Sequence, residues 1–236
     1  MEFFLDYWNR IYASFFMNFI QENRYLVILN GLKITITLSI CAIGLGLVLA
    51  CLTNFFRRSR WRPVRGLATA YVDVIRGTPM VVQLMIIYFV ILPSSFSNFT
   101  AGVIAFGLNS GAYAAEIIRA GIESVDRGQT EAGRSLGLSA RDTMIYIVFP
   151  QAIKNILPAL ANEFIVLIKE TSIVGYIGMV DLAKAGDIIR SRTYAPYMPL
   201  IGVAIIYYII VKTLTVLLAR FERRLKRMDQ RDNKTV

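Results

Sequence analysis

Six ionisable residues stand inside otherwise apolar stretches of this 236-residue sequence: Asp73, Arg76, Glu116, Glu163, Lys169 and Glu170. A charge placed in such a stretch is costly and normally faces a cavity or a partner of opposite sign. Arg76 can hold a carboxylate through two parallel N–H donors. Its alternative is an ion pair with Asp73, one turn earlier, that only steadies the helix. Glu163 can face an ammonium or a cationic side chain, or take part in an ion pair between helices, with Lys169 of a second subunit as one fitting cation. Gln83, Asn109 and Tyr113 are neutral hydrogen-bonding groups on predicted helices, where any one alone serves most simply as contact between helices. Lys169 and Glu170 are adjacent and so lie on different helix faces, which predicts a gate or a subunit contact around Lys169, Glu170, Thr171 and Ser172.

Catalytic chemistry finds little support. The chain has no histidine, so the usual imidazole base and metal ligand are missing. No phosphate-binding loop of the G-x-x-x-x-G-K-[ST] kind occurs, and no nucleophile sits beside a base. Cys41 and Cys51 lie ten residues apart on one predicted helix, roughly 15 Å, too far for a disulfide, which needs Cα atoms within about 7 Å. They read as small core residues.

The elements that would carry the polar residues are membrane spans. Hydrophobic residues make up 56% of the chain and charged residues 18%, against roughly half and a quarter in soluble domains. Residues 34–52 and 193–211 carry no charge, and each is long enough as a helix to cross about 30 Å of hydrocarbon. Five spans are expected, at about 26–52, 67–92, 99–119, 151–175 and 196–219. Gly77 and Pro79 would loosen the second, since glycine admits unusual torsions and proline removes a donor. Gly44 and Gly46 suggest close packing of the first. Lys33 is expected to snorkel to an interface. Residues 1–25 place Phe3, Phe4, Tyr7, Trp8, Ile11, Phe15 and Phe19 mostly three or four apart, as in an amphipathic helix lying in the membrane interface.

Charge sets the expected topology. The net charge is +10, and most of it sits in Arg57, Arg58, Arg60, Arg62 and Arg65 and in the tail 220–236. Flanking apolar spans as they do, these charges fit cytoplasmic loops under the positive-inside rule, with some attraction to anionic lipid and no call for nucleic acid. Five spans then put the N-terminus outside and the C-terminus inside. Residues 93–99 and 176–195 become external loops and 120–150 an internal one, with Lys184, Arg190 and Arg192 a mild exception to the bias.

Segment 120–150 is long for a loop and balanced in charge. Residues 129–136 predict a short helix closed by Gly137, and Ser139, three residues before Asp142, predicts the capped start of another. A folded turn of this kind suits docking. Glu131, Ala132 and Gly133, then Gly137 after three residues, then Ile147, Val148, Phe149 and Pro150 after nine more, resemble the EAA loop of ABC importer permeases, with Gly133 and Phe149 as conservative departures. Ile75, Arg76, Gly77, Thr78 and Pro79 with Gln83, Tyr88 and Phe89 are similar to the second-helix motif of the polar amino-acid permeases. So are residues 109–117, and Asn162, Glu163 and Phe164 followed by residues 167–172.

The resemblance spans roughly residues 26–225 and implies an all-α integral membrane protein with the type I ABC importer permease fold: a permease domain at 26–219, a coupling helix in loop 120–150 and a basic cytoplasmic tail at 220–236. It implies a subunit of a histidine/glutamine/arginine-type uptake system. Glu131, Ala132, Gly133, Ser135, Leu136 and Gly137 would couple to one of two ATPase subunits, which hold the ATP and Mg, this chain needing no cofactor. A second permease subunit, the same chain or a related one, and an extracytoplasmic substrate-binding protein would complete the system. An amino acid is a zwitterion, so its path must offer a cation and an acceptor. Arg76, Gly77, Thr78, Gln83, Asn109, Tyr113 and Glu163 are the candidates. The rival readings are an EAA-loop permease for methionine, a metal or a phosphonate; an ion-coupled secondary carrier, which would predict an inverted repeat; and an intramembrane enzyme.

Overall fold

The computed structural model describes residues 1–232; residues 233–236 of the basic tail, and the side chains of Glu2, Phe3 and of residues beyond Arg224, lie outside the described residues. All described elements are helical. They are α1 (Glu2–Phe15), α2 (Tyr25–Arg57), α3 (Arg62–Arg76), α4 (Met80–Ile86), α5 (Asn98–Glu123), α6 (Arg127–Ser135), α7 (Ala140–Thr143), α8 (Phe149–Glu170), α9 (Leu182–Thr193) and α10 (Met198–Asp232). The apolar face of α1, with Phe4, Leu5, Tyr7, Trp8 and Tyr12, is exposed. A tight elbow then turns the chain into α2. There Asn18 is fully buried, donating to the Ser14 carbonyl at 2.7 Å and accepting from the Thr193 hydroxyl at 2.6 Å.

The principal seam joins α2 to α5, and small residues make it possible. A Cβ at Gly46 would lie 3.1 Å from the Gly111 nitrogen and 3.3 Å from the Gly107 carbonyl oxygen, and one at Gly107 would lie 2.6 Å from Leu45. Close backbone approach replaces the hydrophobic drive that is absent between helices in lipid. Asn54 adds a hydrogen bond across the seam, to the Ala115 carbonyl at 2.9 Å. Gly46 is therefore a packing glycine, as expected, whereas Gly44 has no neighbour within 4 Å.

Contact order along this seam fixes the course of the chain. Leu38 meets Gly102, Leu45 meets Gly107, Leu49 meets Gly111 and Asn54 meets Ala115. Both registers rise together, so α2 and α5 are parallel and residues 58–97 must recross the bundle between them. They do so as a broken span: α3 and the 80–91 helix meet at 114°. The second span is thus two helices rather than one. Counted as a single crossing it joins four unbroken spans, 25–57, 98–123, 140–177 and 198–224, to make five. α8 runs against α5, with Ile156 packed on Gly121 and Asn155 donating to the Ser124 hydroxyl at 2.9 Å. α10 begins at the elbow, where Phe19 fills the space over Gly202.

Residues 176–195, expected as a loop, instead hold α9 packed between α2 and α10. Leu182, Ala185, Gly186 and Ile189 are buried, an i, i+3, i+4, i+7 stripe. On the other face Lys184 and Arg190 pair with Asp187 at 2.8 and 2.6 Å. The charges that looked like an exception to the loop bias are largely paired on this helix. Asp181 caps it, accepting from the Ala183 and Lys184 amides, and also accepts from the Tyr207 hydroxyl at 3.1 Å.

Gly46→Val should cost about 1–3 kcal/mol through overpacking, while Gly44→Val stays within about 0.5 kcal/mol. Thermal unfolding of the two variants in one detergent compares them directly, and equal losses would contradict the seam.

Candidate functional site: the broken span and its arginine

The break between α3 and α4 follows from one missing donor. Gly77 still donates to the Asp73 carbonyl at 2.9 Å. The Ile75 carbonyl would next be served by residue 79, which is proline and has no N–H. Gln83 takes that place. Its Nε2 lies 2.7 Å from the Ile75 oxygen, 3.0 Å from the Thr78 carbonyl oxygen and 2.8 Å from the Thr78 hydroxyl. Thr78 donates its own hydroxyl to the Val74 carbonyl at 2.8 Å. Asn109, from the middle of α5, donates to Gln83 Oε1 at 3.0 Å. Gln83 and Asn109 are buried, while Thr78 and Gly77 are exposed.

Arg76 leaves this corner along α5. Its guanidinium sits over the Tyr113 ring, 5.3 Å from the centroid, and Nη1 lies 3.7 Å from Glu116 Oε1. Glu116, not Asp73, is therefore its ionic neighbour. The contact is loose, and the Arg76 side chain stays 40% exposed. Glu116 has closer partners in Arg57 at 3.1 Å and Arg119, and Arg119 also reaches Glu123 at the end of α5. Three arginines from three helices thus share one carboxylate, and only Arg76 is free to leave it cheaply.

Glu163 is buried on α8 beside Ser110 of α5 and Glu170 of its own helix. It has no ion pair among the described residues. Ser110 and Tyr113 are three apart on α5, so Glu163 and Arg76 address neighbouring positions of one helix face. Farther on, Lys169 and Ser172 are exposed, and Glu170 is half-buried. Thr171 is buried, donating to the Ile168 carbonyl at 2.8 Å. Ser172 faces an open cavity of about 310 Å³ together with Tyr176, Lys184 and Asp187.

The helix–turn–helix predicted within 120–150 is present at the opposite end of α5 from Asn98. Asp126 caps α6 through the Gly128 amide at 2.6 Å. Gly137, at φ +86°, ends it, with Leu138 N–H on the Gly133 carbonyl and Gly137 N–H on the Arg134 carbonyl; these two bonds form a Schellman closure. Ser139 caps α7 through the Asp142 amide at 3.1 Å. Gly133 is buried, since a Cβ there would come 2.6 Å from Ile147 and 3.0 Å from Thr143. This explains why glycine rather than alanine stands at that place in the motif. Glu131, Ala132, Ser135 and Gly137 are exposed, and Leu136 is 81% exposed.

Residues 42–227 match the family described as the binding-protein-dependent transport system inner membrane component. The chain belongs to that family. It is a multi-pass component of the inner membrane. This permease is 42% identical over 205 residues to the putative glutamine transport system permease of Rickettsia bellii, covering 86% of this chain and 94% of that one. It is also 42% identical to the arginine transport system permease of Bacillus subtilis and 38% identical to the glutamine transport system permease of Escherichia coli, over the same length. A crystal structure of an amino acid ABC transporter with histidines superposes with a TM-score of 0.83 at 45% identity, covering 87% of this chain and 98% of that one. The MetNI methionine ABC transporter superposes at 0.70 with 18% identity, a likeness of fold alone.

The structure thus gathers Arg76, Thr78, Gln83, Asn109 and Tyr113 of the permease around one break, and sets Glu163 on the neighbouring helix. Sequence reasoning named Glu116 among the charges inside apolar stretches but gave no role to this carboxylate, which organises this end of the site. Glu116 follows Tyr113 by three residues and precedes Arg119 by three, a spacing that already put all three on one face.

Gln83→Leu keeps the volume but removes both donors, stranding the Ile75 carbonyl. It should lower stability by about 1–3 kcal/mol, measured as the midpoint of chemical unfolding in detergent. An unchanged midpoint would mean the break is held by something else.

Proposed function

We propose that this permease is the transmembrane subunit of an ATP-driven importer of polar or charged L-amino acids. The observation that carries the reading is Arg76: an exposed, loosely paired guanidinium at a broken span, near the middle of α5, with a buried carboxylate on the adjacent helix. A zwitterion needs that pair of opposite charges. Arg76 takes the α-carboxylate, bidentately, and exchanges its long contact with Glu116 for a short one. Glu163 accepts the α-ammonium or a cationic side chain. Gly77 and Thr78 line the exposed side of the break, as unwound backbone does in other transporters, while Gln83 and Asn109 hold it open and Tyr113 supports the guanidinium. Lys169, Glu170, Thr171 and Ser172 form the gate or the subunit contact.

The relatives' names support this substrate class over a metal or a phosphonate, and a binding-protein-dependent family leaves no need for an ion gradient. ATP and Mg belong to two separate ATPase subunits, this chain being non-catalytic. An extracytoplasmic binding protein delivers the substrate, and a second permease subunit completes the path. The turn carrying Arg57–Arg65 arginines and the tail 220–236 face the cytoplasm, with residues 1–25 in the interface on the other side. Helix α6 and the turn that ends it, through Glu131, Ala132, Ser135, Leu136 and Gly137, then dock on the ATPase, with Gly133 buried beneath against Ile147 and Thr143 and the exposed Leu136 offering an apolar anchor.

Two variants in proteoliposomes test separate halves of this proposal. Arg76→Ala should abolish uptake of every zwitterionic substrate while basal ATPase activity persists. Glu131→Lys should leave membrane insertion intact and remove the stimulation of ATPase by substrate. Undiminished uptake in the first removes the carboxylate clamp; undiminished stimulation in the second removes the coupling role.

A further inference from the structure

Between α2, α3 and α5 lies a cavity of about 510 Å³, open on one side and lined almost wholly by apolar side chains, among them Leu52, Phe56, Val64, Leu67 and Ala68. Val64, Leu67, Ala68 and Tyr71 recur at i, i+3, i+4 and i+7, so they form one stripe of α3 turned toward α2. The stripe does not close on α2. Toward its C-terminal end α3 is tied down: the Tyr71 hydroxyl donates to the Leu108 carbonyl at 2.6 Å, and Val72 packs with Ala50 and Ala112. A gap of this size falls within the range of small-molecule sites, yet it lacks the convergent polar groups that orient a polar ligand.

The polar groups stand at its rim. Arg58 and Arg60 are carried on the turn from α2 into α3 and Arg62 and Arg65 on the first turn of α3, and none of the four has an ion pair among the described residues. This sets them apart from Arg57, which is committed to Glu116. Phe56 and Val64 both line the cavity, so the segment between them, with Arg58, Arg60 and Arg62, lies at its end, and Arg65 follows on the first turn of α3. Trp61, 74% exposed, occupies the same turn, and an amphipathic indole at such a place marks the headgroup level. The turn follows the last apolar residues of α2, where the hydrocarbon ends.

We propose that this cavity is a binding site for an anionic phospholipid, its acyl chain lying between α2 and α3 and its phosphate among the arginines of the rim. An apolar slot without donors selects a hydrocarbon chain; unpaired cations one helical turn away select a negative headgroup. Neither feature alone distinguishes this from ordinary annular lipid, but the two meet at one mouth. Charge complementarity thus commits the slot to anionic lipid rather than to a neutral one or to a helix of another subunit. The bound chain wedges α3 away from α2, and α3 ends in Arg76, so occupancy sets the position of the broken span. The inference stands independently of the substrate.

The test uses the complete transporter, purified with its ATPase and exchanged into detergent with equal amounts of phosphatidylglycerol and phosphatidylcholine. Native mass spectrometry then counts retained lipids. The expected result is preferential retention of phosphatidylglycerol. The preference falls about tenfold or more in Arg62→Gln/Arg65→Gln, at roughly 1 kcal/mol per surface arginine. It is unchanged in Arg220→Gln/Arg223→Gln, which removes equal charge from the tail. Ala68→Trp, filling the slot, should displace both lipids. Equal retention of the two lipids overturns the proposal. So does an equal loss in the tail variant, which would show general surface attraction only, and so does cross-linking of a Leu67→Cys variant to a second permease subunit.

Discussion

The carbonyl of Ile75 has no helical donor because the residue four positions later is Pro79, and within a bilayer no water stands ready to replace it. That single deficit organises the centre of the molecule. Gln83 reaches back to supply the donor, Asn109 fixes Gln83 from α5, and Thr78 closes the preceding turn with its hydroxyl. The chain can then bend by 114° with the Val74, Ile75 and Thr78 carbonyls all served by side-chain donors. The bend falls directly after Arg76, whose guanidinium lies along Tyr113 and Glu116.

Glu116 is the second fixed point. It draws Arg57 from the end of α2, Arg76 from the end of α3 and Arg119 from its own helix. Arg119 in turn holds Glu123, four residues before α6 begins. The helices that bound the proposed substrate site and the segment proposed to meet the ATPase are therefore joined through one carboxylate. Because Arg57 and Arg119 already satisfy it, Glu116 does not have to be left bare when Arg76 turns elsewhere. The tight α2–α5 seam keeps this cluster rigid, since Gly46, Gly107 and Gly111 leave no room for the helices to slide.

Much of this was legible in the residues. The two charge-free stretches marked the first and last spans, Ser139 and Gly137 marked the turn inside segment 120–150, and Gly77 with Pro79 marked a weak point in the second span. What the sequence could not show was the size of the consequence: one proline removes a donor, but only three-dimensional packing shows that Gln83 and Asn109 then stabilise a bend. Gln83 and Asn109 were read as candidate substrate contacts, and in the structure they face backbone and each other. Helix α9 was hidden for a different reason. Its stripe of Leu182, Ala185, Gly186 and Ile189 is short and small, and Lys184, Asp187 and Arg190 made the segment look like a solvated loop. Gly44 and Gly46, two apart on α2, were treated alike, although only Gly46 meets α5. Periodicity reveals a face, not what will cover it.

The most direct measurement is equilibrium binding to the detergent-purified transporter without its binding protein, comparing an L-amino acid with its carboxamide. The two differ only in the group that Arg76 is proposed to hold. The account predicts saturable binding of the acid, loss of at least about tenfold in affinity for the amide, and no such difference in Arg76→Ala. Equal affinity for acid and amide in the unaltered protein would contradict it.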